Sequence, residues 1–140
     1  MDRRFFLKSG CGLCTVGIVG AVAFLQSCKK DNASPDPQGP DVNFTLDLTQ
    51  SANASLNTSG GSLSTHGVVV ANTGSTFIAI AEQCTHQNCN IGYHSNTNNF
   101  VCPCHGGTYD VNGNVVSGPP PSPLKVYSVV KNGDVLTVSG

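Results

Sequence analysis

Two short segments rich in cysteine and histidine constrain this chain more than any other feature of its sequence. The first spans residues 84–89 (CTHQNC) and the second spans residues 102–105 (CPCH). Together they offer two thiolates and two imidazoles, and each segment carries one additional cysteine. A tetrahedral zinc site needs the same ligand set, and a plain disulfide with two bystander histidines would use the same residues. Neither alternative accounts for six such residues distributed symmetrically over two segments.

From residue 41 onward the sequence has the pattern of strands joined by turns, with no helical period of useful length. Residues 42–48 alternate apolar and polar side chains, as a half-buried strand does. Three hairpin signals follow: residues 72–74 between the β-rich runs 67–71 and 76–81, Asn112-Gly113 within 109–116, and Asn132-Gly133 within 126–138. We therefore predict an all-β, antiparallel domain over residues 42–140.

Residues 1–28 are typical of an export address. The opening DRRFFLK matches the twin-arginine pattern, and a weakly apolar, glycine-rich run over residues 9–26 follows it. The alternatives are an ordinary signal peptide or a transmembrane helix, although the run is close to the lower length limit for a span and its glycines disfavour a helix. Twin-arginine export carries folded proteins, which suits a cofactor that is inserted in the cytoplasm.

The end of this run, Leu25-Gln26-Ser27-Cys28, resembles a bacterial lipobox, in which the cysteine is lipidated and becomes the mature N-terminus. Gln26 departs from the usual small or apolar residue, so cleavage elsewhere and an uncleaved anchor remain alternatives. Residues 29–41 are then expected to form a proline-rich tether. In a polyproline-like conformation its segment 31–41 (DNASPDPQGPD) would hold the domain ~30 Å from its anchor.

The two cysteine–histidine segments resemble the cluster-binding loops of Rieske iron–sulfur proteins, especially those of cytochrome bc-type and related respiratory complexes. By motif the resemblance covers residues 84–124, and it implies a small antiparallel β-sandwich with a two-loop cluster-binding subdomain. Cys84 and Cys102 would bind one iron of a [2Fe–2S] cluster, and His86 and His105 would bind the other. The remaining cysteines of the two loops, Cys89 and Cys104, would form a disulfide.

The same resemblance assigns three further features. Residues 118–124 (GPPPSPL) are similar to the proline-rich loop that covers the cluster. Tyr109 occupies the place of a tyrosine whose hydroxyl bonds a ligand sulfur, here that of Cys84. Gly107 replaces a serine that bonds a bridging sulfide, and Gln87 replaces an apolar residue that shields the cluster. Gly107 and Tyr109 are therefore expected to tune the reduction potential.

The seven cysteines of the chain fit this assignment without an odd thiol. Cys11 and Cys14 would leave with the signal, Cys28 would take lipid, two cysteines would bind iron and two would form the disulfide. That disulfide needs an oxidising compartment, which export provides.

We therefore predict an exported, membrane-anchored electron carrier on the periplasmic side of a bacterial membrane, acting with a respiratory redox complex. The alternatives are the small subunit of an arsenite-oxidase-like molybdenum enzyme and a quinol-oxidising bc-type subunit, in which His105 would accept a hydrogen bond from quinol. A structural zinc protein is a further alternative. Cys89, Cys104 and the signal disfavour a cytosolic oxygenase ferredoxin.

Two remaining features limit the range of functions. The formal net charge of −1 and the lack of a basic stripe exclude nucleic acid as an expected partner. No catalytic base, nucleophile or substrate pocket is evident, so the chain is not expected to be an enzyme by itself.

The histidines outside the motifs, His66 and His94, are expected to be solvent-exposed.

Overall fold

The computed structural model describes residues 39–140, and the predicted signal, Cys28 and most of the predicted tether lie outside this part of the chain. The described residues contain a 3-10 helix at Ser51–Asn57 and ten strands. The strands are β1 (Asn43–Asp47), β2 (Ser62–Thr65), β3 (Val68–Asn72), β4 (Phe77–Ala81), β5 (Gly92–His94), β6 (Asn99–Val101), β7 (Thr108–Tyr109), β8 (Val115–Ser117), β9 (Val126–Asn132) and β10 (Val135–Ser139).

Six of the strands form one antiparallel sheet in the order β1-β10-β9-β4-β3-β2. The hairpins β3–β4, β7–β8 and β9–β10 pair where the turn signals predict them, so the all-β, antiparallel prediction is confirmed. The apolar run at residues 68–71 of β3 is buried at every position rather than alternating. A strand covered on both faces has this pattern, and the main hydrophobic core lies around it.

One hairpin has a turn that the sequence analysis did not identify. β2 and β3 are joined by His66 and Gly67, whose φ angles of 54° and 75° are both in the left-handed region. Two such residues make the tight turn that suits a two-residue hairpin. A positive φ is uncommon for a non-glycine residue such as His66. The His66 ring stacks on Phe44, with the ring centroids 4.4 Å apart.

The 3-10 helix was also not predicted. It has one fully buried apolar side chain, Leu56, and therefore no periodic apolar face. Asn53 and Asn57 fix it to the end of β1, because their side-chain amides donate to the carbonyl oxygens of Asp47 and Leu48, both at 2.8 Å. A short 3-10 segment of this kind has too few residues to produce a helical period.

The remaining four strands form a second antiparallel sheet in the order β5-β6-β7-β8. They belong to a segment inserted between β4 and β9, which we call the insertion (residues 82–125). Because β4 ends and β9 begins at the same end of the larger sheet, the insertion lies at that end. It contains both cysteine–histidine segments and the proline-rich segment.

The chain also enters the larger sheet at this end, since β1 and β9 run in the same direction. The Tyr127 hydroxyl at the start of β9 donates to the carbonyl oxygen of Pro40 at 2.7 Å. Lys125 forms an ion pair with Asp41. Residues 39–41, the last of the predicted tether, therefore contact the domain beside the insertion.

Candidate metal centre

The two cysteine–histidine loops of the insertion have the same backbone construction. In the first loop, Cys84 N donates to the carbonyl oxygen of Cys89 at 2.9 Å, and in the second, Cys102 N donates to that of Gly107 at 2.7 Å. Each loop reverses through a residue with positive φ, 55° at Asn88 and 71° at Gly106. Asn and Gly are the residues that adopt this conformation at least cost. The local sequence therefore folds both loops into tight turns.

The four predicted ligands lie on these two loops with graded exposure. Cys84 and Cys102 are free thiols that are 1% and 2% exposed. His86 is half-buried and His105 is exposed. Their imidazole rings are nearly perpendicular, at 86°, with the centroids 4.8 Å apart. The loops thus bring together two buried thiols and two adjacent imidazoles, and the imidazoles are nearer to solvent.

The disulfide that the resemblance implies, between Cys89 and Cys104, is present and joins the two loops. Its two sulfur atoms and the Sγ of Cys102 lie within 4.8 Å of one another. This trio is not a metal site, because sulfur atoms bonded in a disulfide cannot supply thiolates. Of the three, only Cys102 can be a ligand, and the disulfide packs directly beside it.

Tyr109 lies in the interior of the insertion and is fully buried. Its hydroxyl is 3.3 Å from Cys84 Sγ, which is the contact that the family resemblance implies. It also accepts a hydrogen bond from the backbone N–H of Thr85 at 3.1 Å. Burial, together with the adjacent Cys84 thiol, raises the pKa of Tyr109 to about 12, so the hydroxyl keeps its proton near neutral pH.

The environment of Cys84 favours the thiolate that a metal ligand requires. Burial by itself raises the pKa of the Cys84 thiol. Hydrogen bonds from the Tyr109 hydroxyl and from the backbone N–H of His86 outweigh this effect, with a further contribution from the Cys102 side chain, so the pKa is lowered. Two buried thiols, one of them prepared for ionisation, and two neighbouring imidazoles fit the ligand set of a Rieske-type cluster.

The proline-rich segment contacts both loops, in agreement with the covering position that the family resemblance implies, although no local sequence signal predicts the individual contacts. The Thr85 hydroxyl donates to the carbonyl oxygen of Ser122 at 2.9 Å, which ties the first loop to this segment. On the second loop, a β-carbon added to Gly107 would lie 2.6 Å from Cγ of the buried Pro120. Gly107 is therefore required by packing, in addition to lacking a hydroxyl donor, and this second role was missed.

The family comparison decides what these loops belong to. The model of the Rieske [2Fe–2S] domain matches residues 46–128, which is more than half of the chain. The chain belongs to the Rieske [2Fe–2S] domain family. Its cofactor is therefore a [2Fe–2S] cluster, and the structural zinc alternative is wrong. The Rieske-type prediction made from the two segments is confirmed.

Similar proteins with curated descriptions are mainly iron–sulfur subunits of cytochrome complexes. The "Cytochrome b6-f complex iron-sulfur subunit" of Chlorobaculum thiosulfatiphilum is 39% identical over 72 residues, which are 51% of this chain and 40% of that protein. The corresponding subunit of Chlorobaculum tepidum is 37% identical over 70 residues, 49% of this chain and 39% of that protein. The Rieske chain therefore spans less than half the length of these relatives.

Among solved structures, a cyanobacterial plasma membrane Rieske protein from Synechocystis PCC 6803 is 30% identical, with a TM-score of 0.52. The match covers 62% of this chain and 93% of that protein. Within residues 39–140, no helix has the length and apolar character needed to cross a membrane. The predictions for residues 1–28 and for Cys28 fall outside the described residues.

Proposed function

We propose that the protein transfers single electrons through a [2Fe–2S] cluster bound by Cys84, His86, Cys102 and His105. The observation that carries this proposal is the pair of buried thiols beside two adjacent imidazoles, in a chain of the Rieske family. Cys84 and Cys102 are assigned to one iron, and His86 and His105 to the other. The cluster supplies the one-electron chemistry, and the protein supplies its ligands, its burial and its route to the surface.

The histidine and cysteine ligands have different roles in this electron transfer. Neutral imidazoles on one iron, in place of anionic thiolates, raise the potential to about −150 to +300 mV, compared with ≈ −400 mV for all-cysteine clusters of plant-type ferredoxins. The buried thiols keep the cysteine side of the cluster away from water. The exposed His105 gives the histidine side the shortest path to a partner.

We further propose that the protein is exported and held at the periplasmic side of the membrane, by lipid on Cys28 or by an uncleaved signal. The Cys89–Cys104 disulfide supports this location, because structural disulfides persist in oxidising compartments. Mass spectrometry of the mature protein should find an acylated Cys28 as its first residue. Substitution of Arg3 and Arg4 by lysine should stop export. Cleavage at another position without acyl groups would contradict the lipid anchor.

The proposed partner is a respiratory redox complex. The relatives named as cytochrome b6-f subunits favour a quinol-oxidising bc-type complex as the second candidate. The exposed His105 also favours it, since quinol would bond a ligand imidazole. Gln87 and Gly107 depart from that pattern. The remaining alternative, a small subunit of an arsenite-oxidase-like molybdenum enzyme, would copurify with a molybdenum protein rather than with a b-type cytochrome.

The cluster assignment is tested by electron paramagnetic resonance of the reduced protein, with iron, acid-labile sulfide and zinc analysis. We expect a Rieske-type signal with two irons and two sulfides per chain. His105→Ala should abolish that signal, whereas the matched variant His94→Ala, at an exposed histidine of β5, should retain it. One zinc without sulfide, or a Rieske signal that survives in His105→Ala, would refute the ligand assignment.

A further inference from the structure

The chain has two Asn-Gly pairs, Asn112-Gly113 and Asn132-Gly133, and each lies at the turn of a hairpin. Asparagine is among the residues that decompose spontaneously on heating. A glycine after it accelerates this reaction, because glycine has no side chain to hinder attack by its own backbone nitrogen. The two pairs thus have the same local chemistry, but the fold surrounds them differently.

The reaction needs only the pair itself and water. The glycine nitrogen attacks Cγ of the asparagine, so that an N–Cγ bond forms and the Cγ–Nδ2 bond breaks. Ammonia leaves with the proton of the glycine N–H, and a five-membered succinimide remains. Water then opens this ring at one of its two carbonyl groups, which gives aspartate or isoaspartate. The glycine N–H must therefore be free, and the asparagine side chain must be able to move over it.

The fold holds the first pair in place. Gly113 is buried, its N–H donates to the carbonyl oxygen of Asp110 at 3.1 Å, and its own carbonyl oxygen accepts from Leu124 N at 2.9 Å. The Asn112 N–H donates to the Asp110 carboxylate at 2.8 Å. The attacking nitrogen is therefore occupied, and the residues on both sides of it are held.

The second pair has none of these restraints. Asn132 ends β9 opposite Val135, so Gly133 and Asp134 form an exposed two-residue turn. Within the part of the chain that the structure describes, neither the Gly133 N–H nor the Asn132 carboxamide has a hydrogen-bond partner. Lys131 donates to the Gly133 carbonyl oxygen at 2.7 Å, which leaves the nitrogen free. An exposed hairpin end of this kind opens locally at low free energy.

We propose that Asn132 is a site of spontaneous deamidation in the folded protein, and that the fold protects Asn112 from the same reaction. The product carries a new carboxylate close to Asp134. An isoaspartate also adds one methylene to the main chain, which removes the pairing of residue 132 with Val135. Because β9 begins at the insertion and ends at Asn132, the modification changes the far end of the hairpin and leaves the cluster ligands in place.

The experiment incubates the purified holoprotein at mildly alkaline pH and follows each asparagine by peptide mass spectrometry. Peptides are prepared at acidic pH, at which the reaction is slow, and an isoaspartate-specific methyltransferase serves as the reagent for isoaspartate. We expect deamidation at Asn132 to be at least about tenfold faster than at Asn112. Equal rates at the two positions, or a faster rate at Asn112, would overturn the proposal.

The same incubation in guanidinium chloride shows whether the fold is the cause of the difference. In the unfolded chain neither glycine N–H is held, so the two rates should agree within about threefold. A ratio that stayed as large as in the folded protein would show that the neighbours in sequence decide the rates. Protection of Asn112 by Asp110 and Leu124 would then be wrong.

Substitution by glutamine identifies the source of the ammonia. Asn132→Gln should remove most of the ammonia released by the folded protein, because glutamine would have to form a less favourable six-membered ring. The matched variant Asn112→Gln should release as much ammonia as the wild type. Release that persists in Asn132→Gln would contradict the assignment to Asn132.

Asn132→Asp adds the charge without the extra methylene, and it therefore serves as the reference for the isoaspartate form. Amide hydrogen exchange in β9 and β10 should be faster in the isoaspartate form than in Asn132→Asp. The Rieske signal and the reduction potential should be the same in both. A changed potential in the isoaspartate form alone would contradict the separation of this site from the cluster.

Discussion

The larger sheet and the insertion are held together by different means. The larger sheet has strands of four to seven residues around side chains such as Val70, Leu136 and Val138, each with no exposed surface. The strands of the insertion have two or three residues, and its fully buried large side chains are few, among them Phe100 and Tyr109. The larger sheet can rely on hydrophobic burial. The insertion depends on specific links: the disulfide, the Tyr109 hydrogen bonds and the packed proline-rich segment.

Removal of the disulfide is the most direct test of whether the insertion, unlike the larger sheet, depends on specific links. The bond closes a loop with a sequence separation of 15 residues, for which the chain-entropy model gives about 3 kcal/mol. In Cys89→Ala/Cys104→Ala, amide hydrogen exchange at residues 84–89 and 102–107 should accelerate by roughly 10²-fold. Exchange at residues 68–71 of β3 should change little.

A core substitution provides the matched control for this experiment. Leu136→Ala removes a fully buried side chain of the larger sheet and should cost about 2–5 kcal/mol. It should accelerate exchange in both regions, because the insertion is built on the sheet. If loss of the disulfide accelerated exchange equally in both regions, the two regions would unfold as one unit and the contrast would be wrong.

Tyr109 tests these specific links within the insertion, because its ring is buried and its hydroxyl is a hydrogen-bond donor. Tyr109→Phe keeps the ring but removes the hydroxyl that lies 3.3 Å from Cys84 Sγ. A hydrogen bond to a charged acceptor is worth roughly 1.5–3 kcal/mol, so the reduction potential should fall by about 60–130 mV. Because the pKa of Tyr109 is raised to about 12 by burial, the difference should persist across neutral pH.

Redox titration measures this effect, and Tyr93→Phe is its control. Tyr93 also lies in the insertion, and its hydroxyl donates to the Asn98 side chain at 2.7 Å. Its substitution should leave the potential unchanged. Equal shifts in the two variants would mean that the Tyr109 hydroxyl acts only through general packing.

Gly107 and Pro120 offer a smaller and more selective test. The family resemblance implies that Gly107→Ser would add a hydrogen-bond donor near the cluster and raise the reduction potential by tens of millivolts. The structure adds a steric obstacle, because the new β-carbon would lie 2.6 Å from Pro120 Cγ. Gly107→Ser by itself should therefore destabilise the protein by about 1–3 kcal/mol. Pro120→Ala removes the obstructing ring atoms.

The double variant Gly107→Ser/Pro120→Ala should recover stability and show the higher potential, so that the two substitutions are strongly non-additive. Redox titration and thermal unfolding of both single variants and the double variant measure the coupling. Gly107→Ala/Pro120→Ala is the control without a hydroxyl and should keep the potential of Pro120→Ala. Additive effects would mean that position 107 and Pro120 do not compete for space.

The smallest expected effect is the pH dependence of the stability that Asp110 contributes through the β7–β8 turn. Burial raises the pKa of Asp110, but hydrogen bonds from Asn114 and Asn112 outweigh it, so the pKa is lowered. A carboxyl group with a lowered pKa stabilises the folded state above its unfolded pKa of ≈ 3.9, and this contribution is lost as the pH falls through the lower folded value. After solvent screening we expect less than about 1 kcal/mol.

Thermal unfolding between about pH 7 and pH 3 measures this contribution. Asp110→Asn should be less stable than the wild type at pH 7, and the difference should shrink as the pH falls. A difference that is independent of pH would show that the Asp110 charge does not stabilise the turn.

The sequence predicts the parts of this molecule in which local pattern and structure coincide. Alternation at residues 42–48 and the Asn-Gly turn at residues 132–133 led directly to β1 and to the β9–β10 hairpin. The His66-Gly67 turn was missed because non-glycine residues are uncommon at positive φ, and a His-Gly pair is not among the usual hairpin signals. At the candidate site, motif spacing identified the loops, but it carried no signal for the contact between Thr85 and Ser122 or for the packing of Pro120 on Gly107. Those contacts join residues that are distant in sequence, and only the folded backbone brings them together.

The entry of the chain beside the insertion determines how the domain can deliver its cluster. Tyr127 and Lys125 hold Pro40 and Asp41 at the end of the sheet where the loops lie. When the domain turns about this attachment, the far end of β9 sweeps an arc with a radius of about 23 Å, the length of its seven residues. The cluster loops, close to the axis, have a short lever arm and move much less. If residues 29–41 form the tether that the sequence predicts, the length of that tether, rather than rotation of the domain, would set the distance over which the cluster is carried.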